Sequence, residues 1–340
     1  RFYRMAVWGG DVGAAEAYLR GYWDSSDLAA MMQVFADNLS VLQSLQGPAQ
    51  RLRRPWSRMI HWLQRNSLAG SRRNIAAHYD LSNEFFGLWL DRTMTYSSGI
   101  FPRDDATLEE ASLEKYDRMC RRLNLQPGDH VLEIGTGWGG FAEHAASRYG
   151  CRVTTTTISE QQYAYAQRRL QAASLDQRVC LLKQDYRTLT GVYDKIVSIE
   201  MIEAVGEKYL DGYFRKCCQL LKPEGAMMLQ SIIMPDSRYN AYRVSSDFIQ
   251  TYIFPGGHLP SIGALAQSAG RGGDLQITDL AHFAADYART LAQWRKNFWE
   301  RIDEIRRLGF DERFVRMWNY YLAYCEAAFS SRQIDVVQIE

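Results

Sequence analysis

The sequence predicts an α/β fold built on a doubly wound sheet, and three observations carry the prediction. From about residue 130 onward, short apolar and β-branched runs recur at 130–134, 152–157, 178–182, 193–199, 225–233, 275–283 and 334–339. Helical patterns separate the first five, the alternation of parallel strands joined by crossover helices. The first run, Val131-Leu132-Glu133-Ile134, leads straight into the glycine-rich stretch "GTGWGG", which puts a ligand crevice at the C-terminal edge of the sheet.

The composition narrows the function classes. The 340 residues suffice for one large domain or two modest ones, and 46% hydrophobic with 23% charged residues is a globular balance. A formal net charge of +1 gives no global bias toward nucleic acid. No apolar run reaches the roughly 18 residues of a transmembrane helix. The chain starts at Arg1, without a methionine or a signal-peptide pattern, so residues before it are expected to be missing. Cys120, Cys151, Cys180, Cys217, Cys218 and Cys325 form no C-x-x-C pair. With the scattered histidines they make no metal-ligand cluster, and they read as reduced thiols of a cytosolic protein.

Taken in chain order, "AAEAYLRGYW" and "DLAAMMQVFADNL" carry apolar residues at three- and four-residue spacing, so residues 1 to about 45 are expected to be helical. Residues 51–73, "RLRRPWSRMIHWLQRNSLAGSRR", hold seven arginines and no acid. Trp56, Ile60 and Leu63 would form an apolar stripe flanked by arginine, the pattern of a helix lying on anionic lipid. Residues 75–125 read as helices and a loop: "NIAAHYDLSNEFFGLWL", "TYSSGIF" and "TLEEASLEKYDRMCRRL". Thr107 followed by Glu110 is a capping box that starts the last of these helices.

Gly135, Gly137 and Gly140 fit the spacing of a dinucleotide loop, but the next strand ends in "TTTTIS", not in the acid that a dinucleotide ribose requires. S-adenosylmethionine is the other candidate. Its methyltransferases place an acid at the end of the first strand, where Glu133 stands, and a later acid beside adenine, where Asp185 stands. The loop alone leaves both ligands open.

The surrounding residues add more. "HYDLSNEFFGLWLDRTMTYSSGIF" (78–101), "VLEIGTGWGG" (131–140), "TISEQQ" (157–162), "QDYR" (184–187), "SIEMIEAVG" (198–206), "YIFPGGHLPS" (252–261) and "DYARTL" (286–291) follow one another. Together they resemble the cyclopropane-fatty-acyl-phospholipid synthase family of S-adenosylmethionine-dependent lipid methyltransferases, from about residue 10 to the end. The resemblance implies a class I methyltransferase fold, a Rossmann-like seven-stranded sheet preceded by an N-terminal helical, lipid-interacting segment. It implies that Tyr96 and Ser97 cover the cofactor and that Glu133, Gly135, Gly137, Thr157, Gln162 and Asp185 bind it.

The family reaction adds a methylene across a cis double bond of a membrane phospholipid's acyl chain. The alkene is a weak nucleophile, the sulfonium a strong electrophile, and positive charge passes to the lipid carbons. An apolar, aromatic-lined pocket is therefore expected, with Tyr96, Phe254 and Tyr287 as candidate faces for the cation. The resemblance also implies a bicarbonate ion that takes a proton from the new methyl. Its surroundings map to Glu203, Tyr287, the backbone at Ile232, and two exchanged side chains. Ser98 stands for the bacterial cysteine and Gln230 for the bacterial histidine, and both can hydrogen-bond. The family's G-x-F-E-H becomes "EMIEA", so Ala204 replaces the usual histidine. If proton loss is redirected, a methyl- or methylene-branched chain replaces the ring.

The expected organisation is an N-terminal helical domain with its basic linker over 1–66 and a methyltransferase domain over 67–340, with an insertion near 235–262 roofing the acyl pocket. The expected partners are an unsaturated phospholipid, an anionic membrane surface and a second copy of the chain, but no nucleic acid, with the enzyme peripheral on the cytoplasmic face of the membrane. Two other readings are a small-molecule amine methyltransferase and an idle lipid-binding relative. Residues 51–73 favour lipid, and the retained Glu203, Tyr287 and Tyr96 favour activity.

Overall fold

Period-two alternation in the strands sets the centre of the fold. In this computed structural model, which describes residues 2–38 and 81–340, seven strands form one sheet. They are β1 (His130–Ile134), β2 (Arg152–Thr156), β3 (Val179–Leu182), β4 (Tyr193–Ile199), β5 (Leu221–Ile233), β6 (Leu280–His282) and β7 (Asp335–Ile339). Their order is β3-β2-β1-β4-β5-β7-β6. The first five are parallel, and β7 runs antiparallel between β5 and β6. The sheet is thus mixed at one edge, as is common in large α/β sheets.

The described helices are α1 (Phe2–Leu19), α2 (Leu28–Asp37), α3 (Asn83–Trp89), α4 (Leu108–Arg122), α5 (Gly140–His144), α6 (Glu160–Ala172), α7 (Leu210–Leu220), α8 (Asp236–Tyr242), α9 (Ile262–Gly272), α10 (Ala284–Glu300), α11 (Ile302–Arg307) and α12 (Glu312–Ser330). The expected capping box is present: Thr107 Oγ1 accepts from Glu110 N and Glu110 Oε2 accepts from Thr107 N. Two expectations need correction. Between β3 and β4 there is only a 3-10 turn, Tyr186–Thr188, in place of a helix. That connection carries two threonines and Gly191, all weak helix formers, and Asp185 bonds to its own turn. The run expected at 275–283 pairs only over Leu280–His282. The basic stretch 51–73 lies outside the described residues.

Alternate strand residues feed two helix layers. Val131, Val153, Val179 and Val197 pack with Met119 and Cys120 of α4 on one face. Leu132, Ile134 and Ile196 pack with Tyr213 and Phe214 of α7 on the other. A third cluster is dominated by aromatics from α3, α10 and α12, among them Phe85, Phe86, Trp89, Trp294 and Trp318. These rings meet mostly edge to face, as Phe85 does with Trp318 at 5.1 Å and Trp89 with Trp294 at 5.7 Å, the arrangement that ring quadrupoles favour. Trp138, just past β1, and Tyr287 of α10 belong to the same cluster, so it caps the C-terminal edge of the sheet.

Tyr18, Leu19, Leu28 and Met32 join that aromatic core, which places α1 and α2 against α12. Arg316 of α12 clamps the turn between them. It donates to Tyr18 O at 2.6 Å and Trp23 O at 2.9 Å, pairs with Asp24 at 3.0 Å, and lies over the Tyr18 ring at 3.9 Å. Replacing Arg316 by Ala is expected to cost roughly 2 kcal/mol, the scale of charge-assisted hydrogen bonds. Limited proteolysis should then cut faster within residues 20–27 while cofactor affinity is retained; unchanged cleavage would mean that the aromatic contacts alone hold the N-terminal helices.

Candidate active site

The turn between β1 and α5 needs glycine. Gly135, Gly137 and Gly139 have φ of 103°, 52° and 87°, left-handed conformations that other residues adopt at a cost. Gly135 N and Thr136 N both donate to Thr156 O, at 3.1 and 3.0 Å, tying the turn to β2. A Cβ built on Gly137 meets nothing within 4 Å, so the loop faces open space that a side chain would fill. This is a cradle of the kind that backbone-hugging ligands use.

The residues expected to hold the cofactor stand on three neighbouring strand ends. Glu133 of β1 is buried and its Oε2 accepts from Thr155 Oγ1 at 2.6 Å. Burial pushes its pKa up to about 8, against the pull of Thr155 and Lys115. After β2, Thr157 Oγ1 donates to Gln162 Oε1 at 2.9 Å, and Ser159 caps α6. After β3, Asp185 is held by the Arg187 guanidinium at 2.9 and 2.7 Å. Tyr96 shares a hydrogen bond with Tyr321 (2.9 Å), and its ring lies 5.4 Å from Trp294 and 6.4 Å from Phe254. Tyr287 lies 6.2 Å from Trp294, so the three rings expected to face a cation belong to one aromatic enclosure.

Ser97 Oγ accepts from Lys115 Nζ at 2.6 Å. Lys115 is fully buried, and burial lowers its pKa to about 8 against the pull of Glu200, Asp91 and Glu133. Sequence reasoning did not single it out. The available signal was its place in the stripe Ala111, Lys115, Met119, all on the inner face of α4.

The groups expected to surround an anion come together, but around a residue the sequence reading passed over. Tyr287 OH donates to Glu200 Oε2 at 2.7 Å, Gln230 Nε2 to Glu200 Oε1 at 2.8 Å, and Ser98 N to the same oxygen at 2.9 Å. Glu203 is held separately: its Oε1 accepts from Ile232 N at 2.6 Å and Ser231 Oγ at 3.1 Å. Its Oε2 is shielded from solvent and has no hydrogen-bond partner among the described residues. Burial first, and Glu200 second, push the Glu203 pKa up to about 8. Burial also raises that of Glu200, opposed by Tyr287, Lys115, Gln230 and Ser98.

Glu200 is the first residue past β4 and has φ of 49°. A side chain in that region costs about 1 kcal/mol or more. In the pattern G-x-F-E-H, glycine falls at this position. That aligned glycine was the one sequence signal that could have drawn attention to Glu200.

Residues 66–339 match the family described as mycolic acid cyclopropane synthetase. A tuberculostearic acid methyltransferase of Mycobacterium tuberculosis is 41% identical over 97% of this chain and 78% of its own length. A cyclopropane-fatty-acyl-phospholipid synthase of Escherichia coli is 35% identical over 99% of this chain and 85% of its own. A mycolic acid cyclopropane synthase crystallised with SAH and CTAB superposes with a TM-score of 0.74 at 32% identity, covering 79% of this chain and 96% of that one. The chain belongs to this family of S-adenosylmethionine-dependent methyltransferases, and the glycine cradle with Glu133 fits that cofactor.

Two outcomes follow from the geometry. Gly137→Val should abolish calorimetric binding of S-adenosylhomocysteine, because the branched side chain enters the cradle and is strained at φ 52°; retained affinity would place the cofactor elsewhere. The second concerns Glu203, whose pKa is raised from 4.5 to about 8 in the folded chain. A raised carboxyl contributes stability below its unfolded pKa and loses it as pH climbs through the folded value. The melting temperature of the wild type relative to Glu203→Gln should therefore fall between those two pH values, and a flat difference would show that Glu203 is not buried against Glu200 in solution.

Proposed function

We propose that this member of the family transfers a one-carbon unit from S-adenosylmethionine to the cis double bond of an unsaturated phospholipid acyl chain, forming a cyclopropane ring. The observation that carries the reading is the pairing of an aromatic enclosure with two carboxylates at the C-terminal edge of the sheet. That combination suits a reaction in which a carbon cation forms and then loses a proton.

The cofactor supplies an electrophilic methyl group, held over Gly135 and Gly137 with Glu133, Thr157, Gln162 and Asp185 along its length and Tyr96 and Ser97 covering it. Methyl transfer leaves positive charge on the acyl carbons. Tyr96, Phe254 and Tyr287 present aromatic faces to it, each worth about 0.5–2 kcal/mol to a cation, and the surrounding core keeps water away. A carboxylate then accepts a proton from the new methyl group, and the freed electron pair closes the ring.

The segment between β5 and α9 serves as one wall of the acyl pocket. Its Phe248 and Ile253 are buried in the aromatic core, Phe248 against Tyr320 at 4.7 Å, and Tyr252 OH donates to Glu16 Oε1 at 2.8 Å. That last bond joins the insertion to α1. No helix among the described residues is long and apolar enough to cross a membrane, and residues 51–73 supply the membrane contact through their seven arginines.

A methyl- or methylene-branched product is the second reading. It is favoured by the 41% identity to a tuberculostearic acid methyltransferase, against 35% for the phospholipid synthase. Mass spectrometry of fatty acids after incubation with S-adenosylmethionine and vesicles of unsaturated phospholipid should show a gain of one methylene, and fragmentation should separate ring from branch. No mass gain on any unsaturated lipid would overturn the reading. Replacing Arg51, Arg53, Arg54 and Arg58 by Gln should weaken co-sedimentation with anionic vesicles, by roughly 1 kcal/mol per arginine that reaches the surface, and leave cofactor affinity intact. Unchanged co-sedimentation would reassign the stretch to a solvated linker.

A further inference from the structure

The anion site implied by the resemblance is already filled by this chain. Tyr287 OH, Gln230 Nε2 and Ser98 N all donate to Glu200, and Ile232 N donates to Glu203. Each donor that would receive a bicarbonate ion is thus bound to a carboxylate. The Ser98 hydroxyl is turned away, donating to Gly99 O at 2.9 Å. An anion placed there would meet the like charge of Glu200. Bicarbonate does not fit.

Three further features show that Glu200 is built into the pocket. Its backbone has the left-handed φ of 49° that suits glycine, the residue the family pattern carries there, so the carboxylate stands on a turn that glycine would adopt without strain. Glu200 N donates to Gln230 O at 2.9 Å, which fixes that turn against β5. Gln230 is held by its neighbour in turn: its Oε1 accepts from Gln338 Nε2 at 3.1 Å, leaving its amide N–H to face the carboxylate. A glutamine amide presents a donor to a resident carboxylate in any tautomer or charge state, as an imidazole does not.

We infer that the Glu200 carboxylate replaces bicarbonate as the proton acceptor, so that turnover needs no added anion. The inference rests on the lipid methyl transfer proposed above. In the step, a C–H bond of the transferred methyl breaks and the proton bonds to a Glu200 oxygen. The electron pair forms the last carbon–carbon bond of the ring or, where the charge has moved to the methylated carbon, the double bond of a methylene branch. The lipid leaves neutral, and Glu200 returns the proton to solvent.

The test compares wild type, Glu200→Gln and Glu200→Gly on vesicles of unsaturated phospholipid, in buffer stripped of carbon dioxide and in buffer with added bicarbonate. Wild-type turnover should be the same in both. Glu200→Gln should lose about 10²–10⁴ in turnover while binding S-adenosylhomocysteine as before. Glu200→Gly, whose new residue suits the backbone, should keep its melting temperature, be nearly idle in stripped buffer and regain at least about tenfold with bicarbonate. Wild-type turnover that collapses on stripping and returns with bicarbonate would overturn the inference, as would a Glu200→Gln variant that turns over normally. Calorimetric titration with bicarbonate gives a second answer that needs no lipid product: saturable binding is expected for Glu200→Gly and none for wild type, and binding to wild type would refute the replacement. Failure of the wild type to modify any lipid would instead strike the function proposed above.

Discussion

Three buried carboxylates at the end of the sheet's parallel strands, two of them beside one buried lysine, set the terms for the rest of this molecule. Glu133, Glu200 and Glu203 gather at the C-terminal ends of β1 and β4; Lys115, which also feels Asp91, is the cation beside the first two, and Glu203 feels Glu200. Taking a carboxylate out of water is costly, and the cost shows in the raised pKa of all three. A positive charge beside these acids offsets the cost of ionising them. Both a sulfonium and a carbon cation would relieve it. The aromatic cap then has a physical purpose, since an electrostatic site of this kind weakens wherever water enters.

Register makes the arrangement exact enough for chemistry. Glu133 pairs with Val197, Ile199 with Gln230, and Gln230 with Gln338. The acid of β1, the turn after β4 and the amide of β5 are therefore set side by side by backbone hydrogen bonds. Side chains on a strand alternate between faces, so a slip of one residue would send Gln230 to the opposite layer and take one of three donors from Glu200. The helices then add what the strands cannot reach. Tyr287 comes from the first turn of α10, and Ser98 from a loop held by Gly99. That glycine donates to Thr290 Oγ1 at 3.1 Å, and a Cβ on it would come within 2.8 Å of Ala111. Fold and site share these contacts, which makes the site rigid.

Much of the frame was legible because it rests on local pattern. The strand positions follow from apolar runs, the start of α4 from Thr107 and Glu110, and the cofactor cradle from its glycines. What was not legible depends on distant partners. Nothing near Lys115 in sequence marks it as buried, because its burial is set by strands and loops far along the chain. Glu200 sits three residues before Glu203, and only the folded turn shows which of the two Tyr287 and Gln230 address. The missing helix between β3 and β4 is a simpler lesson: a parallel crossover needs length more than helicity, and Gly191 with two threonines supplied a poor helix. The N-terminal helices read as a separate segment, yet their apolar stripes belong to the same core as α12, a match that periodicity alone cannot assign.

A base carried on the chain and a base borrowed from solution make different demands on a fold. A borrowed anion must be bound at each turnover, at a loss of translational freedom, but asks only for donors. A resident carboxylate is always in place, and here it is bound to a strained backbone position that glycine would occupy without cost. Its basicity is also set by the protein. Burial raises the affinity of Glu200 for a proton, while Tyr287, Lys115, Gln230 and the Ser98 amide lower it again. The two effects oppose each other within the same pocket: the donors favour the ionised form of Glu200, and the desolvation makes it a better proton acceptor. Glu203, with one oxygen bound to the backbone and to Ser231 and the other unpartnered, has no such set of donors, and burial beside Glu200 pushes its pKa up to about 8. Neighbouring acids whose environments push them apart divide the work between them. By that logic Glu200 is the one held ready to take a proton, and Glu203 is the one that holds a proton of its own.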